Sequence, residues 1–242
     1  MIPISDDNRG RRITPYVSYS LIAINILVFL YQITLPDTVG DPALAEFIFR
    51  WAAIPDEVSA GNDLQTLISS QFLHGGWLHI AGNMLYLWVF GDNVEDVMGH
   101  FKFLAFYLLT GIAAGLAQVF IDPNSAVPIV GASGAISGLL GAYILLFPHG
   151  KIRSLVFIGF FFTSFMIPAW IQIGLWILLQ FVNGFFTLGV VTEETSGGVA
   201  YFAHIGGFIA GMVLVWVFLN REALNRQRAA REGTRAFQRV GR

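Results

Sequence analysis

The feature that most limits what this chain can fold into is the placement of its charges. Its 14 basic and 16 acidic side chains leave six uncharged blocks between Arg12 and Arg221, at 13–36, 64–91, 103–121, 123–150, 154–192 and 195–220. A hydrocarbon core about 30 Å thick needs roughly 20 mostly apolar residues per helix, so every block is able to span a bilayer. Only 12% of the residues are charged, about half the share of a soluble domain. Disordered, nucleic-acid-binding and disulfide-framework classes fall away together. With no cysteine, thiol catalysis and thiolate metal sites are excluded too. The apolar run Val17 to Leu35 follows Arg9, Arg11 and Arg12 as a secretory signal would. It is longer than the roughly 7–15 residues of a signal core and has no small-residue cleavage motif, so it reads as a retained first span.

Charge asymmetry sets the expected topology. The 39-residue block from Ser154 to Thr192 could hold one helix or two. With six spans, both termini share a side that collects Arg9, Arg11, Arg12, Lys102, Lys151, Arg153 and the seven arginines from Arg221 to Arg242, leaving only Arg50 opposite. A seventh span would split the basic residues almost evenly, against the tendency of Lys and Arg to stay cytoplasmic. Six spans with cytoplasmic ends are therefore expected: residues 1–15 as an N-terminal segment, 16–220 as the core and 221–242 as an Arg-rich tail exposed near anionic lipid. Pro168 marks the entrance to the fifth helix, with Ser154 to Ile167 a short apolar segment at the cytoplasmic face. The first external loop, about 36–70, is too long for a simple connection. Its Phe47, Phe49 and Trp51 suggest a segment lying in the interface.

Polar side chains inside a bilayer raise a functional hypothesis by default. The candidates are His74, His79, Asn83, Ser133, Ser137, Gln172, Gln180, Asn183 and His204. Spans two, four and six enter from the same face, and His79, Ser133 and His204 lie 13, 18 and 17 residues before the first charge at their inner ends. At about 1.5 Å per residue they share a level roughly 20–27 Å above that edge. Ser133, Ser137 and Gly141 form one small stripe, and His204, Gly207 and Gly211 another; packed together, as small stripes pack in membranes, they would bring Ser133 beside His204.

That set fits nucleophilic acyl transfer. A serine hydroxyl needs a neighbouring base to take its proton, and a buried, neutral imidazole can do so. No Asp or Glu lies within the spans to orient it, which implies a Ser133–His204 dyad rather than a triad. Asn83, His79 and the backbone N–H of Ser133 are candidate oxyanion donors. Gly131 and Gly134 allow close backbone approach and a helix start at Ser133. Singly, each residue has a plainer explanation: Ser133 as helix packing, as with Gly111 and Gly115, His79 and His204 as hydrogen-bonded structure, Asn83, Gln172, Gln180 and Asn183 as interhelical bonding, and His74 as an anchor for the first loop. Coincidence of depth and face is what favours chemistry.

Four motifs carry a resemblance. His74-Gly-Gly-Trp-Leu-His79-Ile-Ala-Gly-Asn83, Gly91-Asp-Asn-Val-Glu95-Asp-Val-Met-Gly99, Gly131-Ala-Ser133-Gly134 and Ala203-His204-Ile-Gly-Gly207-Phe-Ile-Ala-Gly211 together resemble the rhomboid intramembrane serine proteases. The resemblance covers the six-span core and implies an all-α membrane protein, a rhomboid-like bundle of six transmembrane helices. It implies Ser133 as nucleophile, His204 as general base, His79 and Asn83 at the oxyanion hole, and Glu95 as a structural polar residue. It also implies substrates that are transmembrane segments of other membrane proteins, with the fifth span and last external loop as a gate. Two positions depart from the family's pattern: Ser137 stands where many members have an aromatic residue beside the histidine, and Arg50-Trp51 reverses a Trp-Arg pair of the first loop. The expected function is an intramembrane serine endopeptidase in the lipid bilayer, with no metal, no cofactor and no nucleic-acid partner. A bacterial cytoplasmic membrane fits the minimal six-span form. The alternative is a non-catalytic relative that binds and escorts transmembrane helices, against which the retention of both Ser133 and His204 speaks. A small-solute transporter is disfavoured because no charged residue or inverted repeat marks a central path.

Overall fold

The computed structural model describes residues 1–158, 161–187 and 200–240, with the side chains of 157, 158, 187 and 233–240 left aside. In chain order the elements are β1 (Ile2–Ser5), α1 (Tyr16–Gln32), α2 (Ala43–Trp51), α3 (Pro55–Ser59), α4 (Thr66–Ser69), a 3-10 turn Ser70–Phe72, α5 (Trp77–Met98), α6 (His100–Ile121), α7 (Ser133–Leu146), β2 (Lys151–Ile158), β3 (Phe161–Pro168), α8 (Ala169–Thr187), α9 (Tyr201–Phe218) and α10 (Arg221–Val240). Among the described residues three helices, α6, α8 and α9, are long and apolar enough to cross a membrane, while α1 and α7 are shorter apolar helices.

Small residues decide how α7 and α9 meet. A Cβ built at Gly207 or Gly211 would overlap the carbonyl oxygen of Gly134 or Gly138, and one at Gly141 would overlap that of Phe208. The two backbones therefore touch directly, as small-residue faces allow. The contact ridge is Gly134–Gly138–Gly141, one residue round from the expected Ser133–Ser137 stripe, which leaves the Ser133 side chain free to point past the seam. Behind it, α6 lies against α9 at Gly206 and Ala117. Phe90, Phe106, Tyr107, Leu139 and Tyr143 fill the core below, toward the charged end of the bundle.

The molecule is mostly helical but not all-α, which corrects the expectation. Residues 154–158 and 161–167 lie in the antiparallel strands β2 and β3, to which β1 adds a third antiparallel strand. The segment is rich in Phe, Val, Ile, Thr and Ser, types that fit a pleated surface, and it is too short for another span. Pro168 ends β3, immediately ahead of α8.

The tail also differs from the exposed extension expected of it. Arg226 pairs with Asp96 at 2.6 Å, Arg228 donates to the carbonyls of Leu145 and Leu146 at the C-terminus of α7, and Arg231 reaches the Asp7 carbonyl and Asn93. Cations at a helix C-terminus are favoured by its dipole, and on α5 Asp96 takes Arg226 while Asp92, one turn earlier, pairs with Arg11. The side chains of Arg235 and Arg239, and all of Arg242, lie outside the described residues. Glu95 is fully buried and accepts from the backbone N–H groups of Val17 and Ser18, from the Ser18 hydroxyl and from the His100 ring. It caps α1 from a neighbouring helix, since the first N–H groups of a helix have no partner within it.

Beneath the tail, Asp6 accepts from Tyr143 at 2.7 Å and from Asn93 at 2.6 Å. Burial pushes its carboxyl up from 3.8 to about 7; the Asp92 charge adds to this, against the hydrogen bonds and the Arg231 charge. The folded chain thus holds this proton to higher pH than the unfolded chain, so the contribution is fully present below pH 3.8 and is lost as pH rises through about 7. In detergent at fixed ionic strength, the thermal midpoint should fall across that window, and Asp6→Asn should flatten the fall. An undiminished slope in Asp6→Asn would assign the titration to another group.

Candidate active site

The expected site residues converge at the end of the bundle opposite the tail. Ser133 is the first residue of α7, and the chain reaches it through Gly131 at φ +124°, a conformation open to glycine but not to residues bearing a Cβ. The entry is pinned by Gly131 N–H donating to the Ser70 carbonyl at 2.9 Å and by a bridge between Ala53 and Ile129. These contacts give the long first loop its role. Its α3 and α4 pack on α6 through Val58, Leu67 and Val119, and Gly111 and Gly115 accommodate Gln71 and Leu67. In α2 no residue is buried, and Phe49 and Trp51 are exposed beside Arg50, whose guanidinium lies 5.7 Å from the Trp51 ring centroid.

Ser133 Oγ lies 2.8 Å from His204 Nε2, and the other ring nitrogen, Nδ1, lies 2.8 Å from Gln180 Oε1. The Gln180 amide nitrogen donates to the Trp176 carbonyl at 3.3 Å, which turns Oε1 toward the ring. An amide oxygen only accepts, so Nδ1 carries the proton and Nε2 presents its lone pair to the serine hydroxyl. Trp176 also lies beside the imidazole, with ring centroids 5.8 Å apart. Ser137 takes no part in holding the ring, because its hydroxyl donates back to the Ser133 carbonyl at 2.5 Å.

His79 faces the same point from α5. Its Nδ1 accepts from Gly75 N–H at 3.3 Å, leaving the proton on Nε2. That atom sits so close to Gly131 that a Cβ built there would be 2.7 Å from it and 3.6 Å from Ser133 Oγ. Asn83 lies one turn along the same face, buried, with an amide nitrogen that has no hydrogen-bond partner among the described residues. His74 packs edge-on against His79 at 5.1 Å and is tied through its backbone to the side chain of Gln32 on α1. Gln172 bonds Ser154 on β2, away from this cluster.

A family model describing the rhomboid domain matches residues 61–221, two thirds of the sequence and the whole of this cluster. The chain is a rhomboid. It is 29% identical over 224 residues to the mitochondrial Rhomboid protein 1 of Saccharomyces cerevisiae, covering 90% of this chain and 58% of that protein. It is 31% identical over 197 residues to Rhomboid protease GluP of Bacillus subtilis, covering 81% of this chain and 34% of the relative. For Rhomboid protease AarA of Providencia stuartii the values are 28% over 220 residues, 82% and 70%. This rhomboid thus spans about half the length of the first curated relatives it matches.

One residue of the cluster escapes sequence reasoning. Gln180 reads there as interhelical bonding, yet it contacts His204 directly. The available signal was its polarity within an apolar helix, eleven residues and so roughly 17 Å along from the start of α8. The expected gate loop, with Glu193 and Glu194, lies outside the described residues.

Proposed function

We propose that this rhomboid is an intramembrane serine endopeptidase that hydrolyses peptide bonds in or beside transmembrane segments of other membrane proteins. The observation that carries the reading is the 2.8 Å contact between Ser133 Oγ and His204 Nε2. Ser133 Oγ attacks the scissile carbonyl carbon as its proton passes to Nε2. The tetrahedral oxyanion lies among the Ser133 backbone N–H, which has no acceptor within its helix, the His79 Nε2–H and the Asn83 amide nitrogen. Collapse breaks the C–N bond, and His204 returns the proton to the departing amine. Water then attacks the acyl-enzyme, losing its proton to His204, and Ser133 is restored.

Six crossings, α1, α5, α6, α7, α8 and α9, with both termini on the cytoplasmic side, complete the proposal. Support for a shared side comes from Arg226 and Arg231, which bond the N-terminal segment at Gly10 and Asp7. The 14 residues of α7 reach only about 21 Å, short of a full crossing, because the helix starts at the reacting serine. Irregular backbone at that depth is tolerated where it is buried in protein or lines a cavity. A cavity open to the outer face would admit the water that hydrolysis needs.

The test is labelling of the detergent-solubilised chain by a fluorophosphonate probe, together with cleavage of a single-span reporter carrying Gly-Ala pairs near its outer membrane boundary. The native chain should label and cleave. Ser133→Ala should do neither while keeping its thermal midpoint. Unlabelled, folded native protein, or labelling unchanged in Ser133→Ala, would overturn the proposal.

A further inference from the structure

On the Ser133–His204 reading above, Gln180 stands where the base needs a partner. A dyad has a positional problem that a triad solves with a carboxylate. A neutral imidazole carries its proton on either nitrogen, and only one of the two tautomers leaves Nε2 able to accept from serine. Without a partner at Nδ1 the ring can also turn. Among the described residues, the group bonded to Nδ1 is the Gln180 side chain, at 2.8 Å.

Three features make this contact directional. Gln180 is buried, as His204 is, so water does not compete freely for Nδ1. Its amide nitrogen is bonded to the carbonyl of Trp176, one turn earlier on the same helix, so the oxygen rather than the nitrogen faces the ring. Trp176 flanks the imidazole from that same helix, restricting its rotation. Ser137, on α7, is unable to substitute, because its hydroxyl is committed to the Ser133 carbonyl.

We propose that Gln180 is the positioning residue of this rhomboid, fixing His204 as the Nδ1–H tautomer, and that Trp176 and Gln180 together make α8 the element that holds the base. A neutral amide suits the location, where a carboxylate would have to be desolvated. The serine and its base thus sit on α7 and α9, while competence of the base depends on how α8 seats against α9. That seating is close at Gly184, where a built Cβ would meet Tyr201 Cβ at 3.3 Å.

The full chain in detergent tests this with two variants and one spectrum. Gln180→Leu keeps the volume and removes the acceptor. Its kcat on the single-span reporter should fall about 10²-fold, the lower end of what a positioned general base contributes, with KM within about twofold. Gln180→Glu, in its protonated form, can accept from Nδ1–H and donate to the Trp176 carbonyl, and should recover most of the lost rate. In 15N spectra of histidine-labelled native chain, His204 Nδ1 should appear as a protonated nitrogen and Nε2 as a bare one. In Gln180→Leu the two signals should mix or reverse. Native turnover in Gln180→Leu, equal loss in the Leu and Glu variants, or an Nε2–H tautomer in the native chain would each overturn the proposal. The tautomer is read without turnover, so it decides the matter even where Gln180→Leu fails to fold. An inactive native chain that shows the Nδ1–H tautomer would instead count against the protease reading alone.

Discussion

Gly207→Val is expected to leave no cleavage-competent protein. The first atom added would overlap the Gly134 carbonyl oxygen and sit 3.1 Å from Ala114 Cβ. The carbonyl is main chain, one residue after Ser133, and moves only if α7 moves. Overpacking in a well-packed core costs typically 1–3 kcal/mol, and a clash with backbone places this substitution near the top of that range, at about 3 kcal/mol. The effect on turnover should be larger than the effect on folding, because any shift of α7 from α9 lengthens the 2.8 Å contact between Ser133 and His204. Displacing a reacting group by about 1 Å costs on the order of 10²-fold. Thermal unfolding and reporter cleavage, measured side by side, check both parts. Gly174→Ala is the control, since a Cβ there meets no atom within 4 Å and a helical Gly→Ala exchange stabilises by roughly 0.5–1 kcal/mol. Native cleavage by Gly207→Val would mean that the two backbones need not touch.

Glu95→Ala is expected to destabilise the chain by about 3–5 kcal/mol, the range for removing one partner of a buried, bonded charge. The carboxylate is fully buried, and it receives the N–H groups of Val17 and Ser18, the Ser18 hydroxyl and the His100 ring. Its removal leaves the N-terminus of α1 uncapped inside the protein, with each unsatisfied donor costing roughly 1–3 kcal/mol. Glu95→Gln should cost less, because its amide oxygen still accepts while its NH2 faces other donors. The loss should appear as a lower thermal midpoint, and as proteolysis near residues 13–18 in limited digestion. Among molecules still folded, kcat should stay close to native, since Glu95 lies at the end remote from Ser133. A variant of native stability but reduced kcat would give Glu95 a different role.

Much of the site is legible in the sequence because depth in a membrane is countable. A helix rises about 1.5 Å per residue and charges mark one of its ends, so His79, Ser133 and His204 are expected near one level before any coordinates are known. Gly207 and Gly211 are legible for a similar reason, since a small residue every fourth position leaves a face with nothing to pack but backbone. Gln180 is not legible in that way. Its polarity singles it out in an apolar helix, but whether it faces α9, α7 or lipid depends on the rotation of α8, which its nearly uniform apolar sequence does not define. Residues 154–167 are silent because a short apolar run satisfies a strand and a helix equally well until it is paired, and the third strand of the sheet, β1, lies about 150 residues earlier in the sequence. The tail looked like a free basic extension because pairing with Asp96 and with the end of α7 links residues far apart in the chain.

By itself the sequence determined a chain with charge-free blocks long enough to span a bilayer, and four motifs that resemble those of the rhomboids. Only the tertiary structure decided what holds the histidine. Its tautomer is set by an acceptor on another helix, 24 residues earlier in the chain. A hydrogen bond acts over about 3 Å, and no spacing rule within one helix reports which side chain of the next will arrive there.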